Sequence, residues 1–195
     1  TFDKFPPSRA RSRLDADLLG WGLMRATFFA GILLALTASA ATPAQTAGYW
    51  AAIDTSSARI LAAHNRERAR VGVAPLRWDP MLAAAAASYG PTLARIGGLR
   101  HSPKADRAGL RENLWMGTRG AFSPEQMVGN WISERAYYRH GTFPNVSRTG
   151  RWSDVAHYTQ VVWRGTTHVG CAIHPSRNYD YLICRYSPPG NVDGF

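Results

Sequence analysis

The spacing of apolar and polar residues changes character several times along this chain. The first change is the sharpest. Residues 26–42 carry no charge, and their centre reads Phe28-Phe29-Ala30-Gly31-Ile32-Leu33-Leu34-Ala35-Leu36. The run follows Met24-Arg25 and ends in Ala38-Ser39-Ala40. That is the small-x-small pattern a signal peptidase reads. At 17 residues the run is short for a membrane-spanning helix. A secretory signal is therefore expected over residues 24–40, cleaved near Ala40, with no stable membrane span afterwards. Residues 1–23 hold Arg9, Arg11, Arg13, Asp15 and Asp17 and open on Thr. They are expected to be an upstream extension or a translation artefact, with Met24 as the start. Residues 41–55 are small and polar and read as a linker, which leaves 56–195 as one folded domain.

Within that domain the period alternates between helical and extended. Ser56–Val71 places Ile60, Leu61 and His64 on one side and charges elsewhere, and Gly72 stops it. Pro75–Trp78 reads as a short extended crossing. Asp79-Pro80 pairs a capping side chain with a first-turn proline and opens a second, alanine-rich helix over Met81–Tyr89. Gly90-Pro91 should end or kink it. Ser123-Pro124-Glu125 opens a third helix that turns Met127, Val128, Trp131 and Ile132 toward a core. Strands are expected at Glu112–Met116, Tyr158–Trp163, Val169–His174 and Tyr181–Tyr186. Helices and strands without regular βα alternation make an α+β layered domain.

Composition narrows the class. The chain is 45% hydrophobic, enough for a core, and its formal charge is +10. Residues 1–40 hold five basic and three acidic side chains, so the remainder carries +8. Arginine supplies nearly all of it, since Lys4 and Lys104 are the lysines. A basic surface favours acidic envelope polymers. No dense basic run interleaved with aromatics appears, so nucleic acid is not an expected partner. The arginine and alanine richness is expected of a bacterial source. Cys171 and Cys184 lie on consecutive predicted strands, and antiparallel pairing after export would let them bridge. Asn145-Val146-Ser147 fits a glycosylation sequon.

Ordered short motifs then carry a resemblance. His64-Asn65 with Arg68, Gly72, Pro75-Leu76 and Trp78 come first. His101-Ser102, Glu112-Asn113-Leu114-Trp115 and Trp131 with Glu134 follow. The chain closes with AHYTQVVW at 156–163 and YLICRYSPPGN at 181–191. In this order the pieces resemble the CAP superfamily, or SCP domain, of cysteine-rich secretory proteins, insect antigen 5 and plant pathogenesis-related proteins of group one. The resemblance covers about residues 56–195. It implies a three-layer α-β-α sandwich around a mainly antiparallel sheet. Three positions depart from the family pattern: Ala156 and Arg111 stand where glycine is usual, and Gly90-Pro91 interrupts a helix that often runs on.

The resemblance also implies a cleft lined by His101, Glu112, Glu134 and His157. Those residue types suit a metal, because an imidazole offers one nitrogen to the ion and the other to a carboxylate. Zn²⁺ or another divalent cation on His101 and His157 is the expected cofactor. Without metal, Glu134 and His157 are the candidates for proton transfer. Trp131 and Glu134, three apart, share a helical face. Ser102 is set aside as a nucleophile, since adjacent residues seldom aim at one reacting atom. His64 reads as a core histidine, and His140, His168 and His174 as bystanders. Three functions stay open: a secreted, monomeric binder of a metal or a small hydrophobic ligand, a metal-dependent hydrolase, or an envelope-binding module.

Overall fold

The structure, a computed structural model, describes residues 55–195. The expected extension and signal, and all but the last residue of the expected linker, lie outside the described residues. Helix α1 (Thr55–Arg70) buries Ile60, Ala63, His64, Glu67 and Arg68, the i, i+3, i+4 stripe of a helix laid on a core. Gly72, at φ +69°, turns the chain out of it. Asn65 then acts as a surrogate strand. Its amide donates to the Leu76 carbonyl at 3.0 Å and accepts the Leu76 N–H at 2.8 Å. This holds Pro75–Trp78 extended and sets up strand β1 (Arg77–Trp78).

Asp79 Oδ1 caps helix α2 (Pro80–Ala87) by accepting from Met81 N and Leu82 N. Helix α3 (Gly90–Ile96) follows directly, with Pro91 in its first turn. Pro91 interrupts the helix, and residue 90 must be glycine because a side chain there would collide with the His174 ring. Strand β2 (Arg111–Thr118) comes next, after a 3₁₀ turn at Lys104–Arg107. Helix α4 (Pro124–Ser133) starts where the sequence places it, with Ser123 and Gln126 forming a reciprocal capping box. Strands β3 (His168–Pro175) and β4 (Tyr179–Ser187) form the closing hairpin.

The sheet runs β1-β3-β4-β2, antiparallel except for the parallel β1–β3 pair. Alternation along β4 sorts the two cores. Leu182, Cys184 and Tyr186 face a cluster with Ile60, Met127, Val128 and Trp131, on the α1 and α4 side. Tyr181 and Ile183 face Ala86, Tyr89 and Leu93, on the α2 and α3 side. The domain is thus an α+β sandwich of three layers. Gly170 sets the spacing on the second side, because a Cβ there would land on backbone of Asp79, Leu82 and Ala83. Cys171 lies opposite Cys184 in the β3–β4 register, and the two form a disulfide.

One expected element is wrong. Tyr158–Trp163 is not a strand: residues Ala156–Val161 form helix α5, entered through a 3₁₀ turn at Trp152–Val155. Thr159, Val161 and Val162 gave the segment its strand character. Remote side chains override that preference at both ends. The Glu134 carboxylate accepts the N–H groups of His157 and Tyr158, each at 3.0 Å. The buried Arg68 guanidinium donates to the carbonyls of Val161, Trp163 and Thr166. A helix leaves donors bare at its start and acceptors bare at its end, and these two residues supply both. Arg68 also holds the Ala74 carbonyl.

The correction changes what the segment presents. As a strand, the segment would set Gln160 on the face away from His157. In α5 it is buried instead, and it pins the loop after β4 by donating to Thr166 Oγ1 and accepting Gly190 N–H. Ala156 sits in ordinary right-handed helical geometry (φ −63°, ψ −37°), so alanine fits where glycine is usual.

Candidate functional site

Strand β2 is an edge of the sheet, and its first residues point to opposite faces. Glu112 is buried on the α2–α3 side. Its Oε1 receives His101 Nδ1 at 2.9 Å and Ser102 N–H at 3.0 Å, and its Oε2 receives the Ser102 hydroxyl at 2.9 Å. Burial works to raise the Glu112 pKa, but the His101 and Ser102 hydrogen bonds outweigh it and hold the carboxyl below its ordinary value. Arg185, the cross-strand neighbour of Glu112, adds a positive charge 3.7 Å from Oε2. It also donates to the Asp106 carbonyl and to Ser102 Oγ.

Asn113, the next residue, turns to the other side. Its amide donates to the His157 carbonyl at 3.1 Å and to Tyr186 Oη at 3.3 Å. Behind it, Tyr186 Oη and His64 Nε2 lie 2.9 Å apart, and His64 Nδ1 lies 2.9 Å from the Ile60 carbonyl. A carbonyl only accepts, so Nδ1 carries the proton and the phenol donates to Nε2. Burial lowers the His64 pKa to about 4 and pushes the Tyr186 phenol well up, so both are neutral. His64 is the core histidine the sequence implied.

His157 opens α5 on the same side. Its Nδ1 lies 2.6 Å from Glu134 Oε1, at the C-terminal end of α4. Its ring stacks on Trp131, 6.1 Å between centroids and 13° between planes. Trp131 and Glu134 do share a face, and together they fix the imidazole. Both Glu134 oxygens are occupied, Oε1 by the ring and Oε2 by the two α5 amides. Glu134 therefore serves as a helix cap and an orienting acceptor.

His101, Glu112 and His157 line one cleft of about 440 Å³, with Asn113. Glu134 lies behind His157 and does not line it. The two imidazoles are built alike. Each spends Nδ1 on a carboxylate, and each leaves Nε2 without a hydrogen-bond partner among the described residues. Their side chains are 53% and 33% exposed. Among the described residues no group of three or more His, Cys, Asp or Glu side chains converges as a metal cage. The arrangement can offer two imidazole nitrogens to a ligand or an ion, with water completing the coordination.

Sequence reasoning missed several participants. Ser102 enters the site as a support rather than a nucleophile: it and His101 converge on Glu112, one through backbone and hydroxyl and the other through its ring. Asn113 was legible as half of the Glu-Asn pair, but its role needs the edge strand. Arg111, the departure from glycine, ties the closing loop to β2 by donating to the carbonyls of Gly190 and Asn191. Arg185 and Trp152 carried no sequence signal. His168 pairs with Thr167 and His174 packs on Gly90, so neither joins the site.

A second cavity of about 670 Å³ lies on the other side of α5. Val71, Tyr158, Val162, Trp163 and Phe195 give it an apolar wall, and His140 reaches it. None of the four expected site residues lines it.

Residues 61–186 match CAP, the cysteine-rich secretory protein family. Pathogenesis-related protein 1C of Nicotiana tabacum is 42% identical over 135 residues, which cover 69% of this chain and 76% of that protein. Pathogenesis-related protein 1 of Arabidopsis thaliana is 38% identical over 130 residues, covering 66% and 74%. These relatives are plant proteins and lend the bacterial expectation no support. The crystal structure of NaASP2 with Zn²⁺ superposes with a TM-score of 0.61 at 25% identity, covering 70% of this chain and 81% of that one. BmVAL-1 shares the fold, with a TM-score of 0.62 at 21% identity and coverage of 74% and 82%.

Proposed function

This chain belongs to the CAP family of cysteine-rich secretory proteins, and we propose that it is an exported binding protein whose cleft holds a divalent cation between His101 and His157. One observation carries the reading. Both imidazoles are oriented by a carboxylate at Nδ1 and present an unpartnered Nε2 on the same cleft. A carboxylate behind a histidine fixes its tautomer and raises its basicity as a ligand. Zn²⁺ accepts imidazole nitrogen and keeps water in open positions. The likeness to NaASP2, a structure solved with Zn²⁺, supports the choice of ion. Export rests on the leader at residues 24–40 and on the family.

Titration calorimetry with Zn²⁺ tests this. His101→Ala and His157→Ala should each weaken binding by about tenfold or more, and His140→Ala should not. Absence of Zn²⁺ binding to the parent protein removes the reading. A hydrolase would use an ion held on His101 and His157 to activate water, and because the ion would occupy both Nε2 atoms another group would have to serve as proton acceptor. Glu134 is less suited to that role, since both its oxygens are already hydrogen-bonded. A second site favours a small hydrophobic ligand: the apolar cavity beyond α5 has a volume in the range of small-molecule sites. Native mass spectrometry after incubation with a lipid extract tests it. Attraction to acidic envelope material is a third reading, and a pull-down that fades with salt tests that.

A further inference from the structure

The cleft holds more than its histidines, and the additional groups select a kind of ligand. One wall is aromatic. Trp152 is 47% exposed at the mouth, set edge-on against the buried Phe143 ring at 5.5 Å. Its indole N–H has no partner among the described residues. A tryptophan left half open beside polar groups is an amphipathic surface looking for a partner.

Two arginines also line the cleft. Arg107 donates Nε to the Ser102 carbonyl at 3.0 Å, which fixes the plane of its guanidinium. Both its terminal amino groups remain without partners among the described residues. Arg111 is locked by Gly190 and Asn191 and keeps Nη1 free in the same way. Asn113, 3% exposed, lines the same cleft. Its two donor bonds are accounted for, and its Oδ1 accepts none. Asp193 adds an exposed acceptor on the closing loop. Glu112, which would repel an anion, is compensated by Arg185 from behind.

We infer that this cleft binds a hexuronic acid residue of an acidic polysaccharide. A sugar ring presents an apolar C–H face, which suits the open indole, and hydroxyls, which suit Asn113 Oδ1 and Asp193. Its carboxylate matches the planar, unspent N–H groups of Arg107 and Arg111. A neutral sugar would leave those donors unpaired. A simple organic anion would leave the tryptophan uncovered. The inference rests on the cleft as the binding site but not on the metal.

The test is calorimetry of the full chain with α-1,4-linked trigalacturonate, run in EDTA and again with Zn²⁺. Saturable binding in EDTA is expected. Trp152→Ala and Arg107→Ala should each weaken it by about tenfold, Trp152→Phe should retain most of it, and the neutral galactose trimer should bind at least about tenfold more weakly. Arg177→Ala, in the β3–β4 turn at the far end of β2, should leave affinity unchanged. Thermal melts check that each variant folds. No saturable binding, equal binding of the neutral trimer, or indifference to Trp152→Ala overturns the inference. Uronate binding without any Zn²⁺ binding overturns only the metal reading, and the reverse overturns only this one.

Discussion

His64 should make this domain acid-sensitive well above the range where carboxylates titrate. The buried ring is held neutral, with its Nδ1–H on the Ile60 carbonyl and its Nε2 accepting from Tyr186. Its pKa falls from 6.5 to about 4 because burial penalises the charged form. The unfolded chain therefore binds a proton below pH 6.5 that the folded chain refuses until about pH 4. Stability is full above pH 6.5 and is lost as pH falls through that window. Linkage gives a loss of about 2 kcal/mol between pH 7 and pH 5, and about 3 kcal/mol by pH 4. Glu112, whose pKa its hydrogen bonds hold below the ordinary carboxylate value, begins to contribute only under pH 5, and comparison with a His64 variant cancels what the other histidines contribute above it. Urea unfolding at pH 7, 6 and 5 measures it, comparing the parent with His64→Phe and His64→Gln. Both variants are expected to be less stable at pH 7, because they disturb two buried hydrogen bonds. The slope is the readout: the parent should lose about 2 kcal/mol more than either variant across the window. Parallel profiles would refute the assignment of a buried neutral imidazole. The melting temperature should follow, dropping by roughly 5 °C for this contribution.

Three further outcomes follow from the same contacts. Arg68→Lys should destabilise by about 4 kcal/mol or more, because one ammonium cannot reach four carbonyls, at Ala74 and across residues 161–166; near-parent urea stability would contradict this. Glu134→Ala should cost about 2–3 kcal/mol and free the His157 ring, seen as a lower melting temperature and a broadened imidazole NMR signal. Replacing Cys171 and Cys184 with alanine opens a loop of 13 residues and should cost about 3 kcal/mol in urea unfolding, without altering Zn²⁺ affinity.

Much of the frame is local and was therefore readable. The α1 stripe, the Asp79-Pro80 and Ser123-Pro124 starts, and the three long strands each follow from neighbours in sequence, through periodicity or capping. The disulfide followed from two cysteines on adjacent strands. The site was legible as a set of residue types but not as an arrangement. Nothing local says that Glu134, spent on two backbone amides and a ring, stands behind His157 while Glu112 lines the cleft beside His101.

The sequence by itself determined the elements whose hydrogen bonds close within themselves or with the next residue, and of the polar side chains in the cleft it named His101, Glu112 and His157. Tertiary structure decided α5. A β-branched segment became helical because Glu134 and Arg68, 23 and 93 residues away from the groups they serve, satisfy its ends. It also decided the cleft, since β2 lies at the sheet's edge, where its consecutive residues Glu112 and Asn113 point to opposite faces and yet both line it. The physical reason is the same in both cases. A buried polar group must find a partner, and which partner it finds depends on what the fold brings near it, not on what precedes it in the chain.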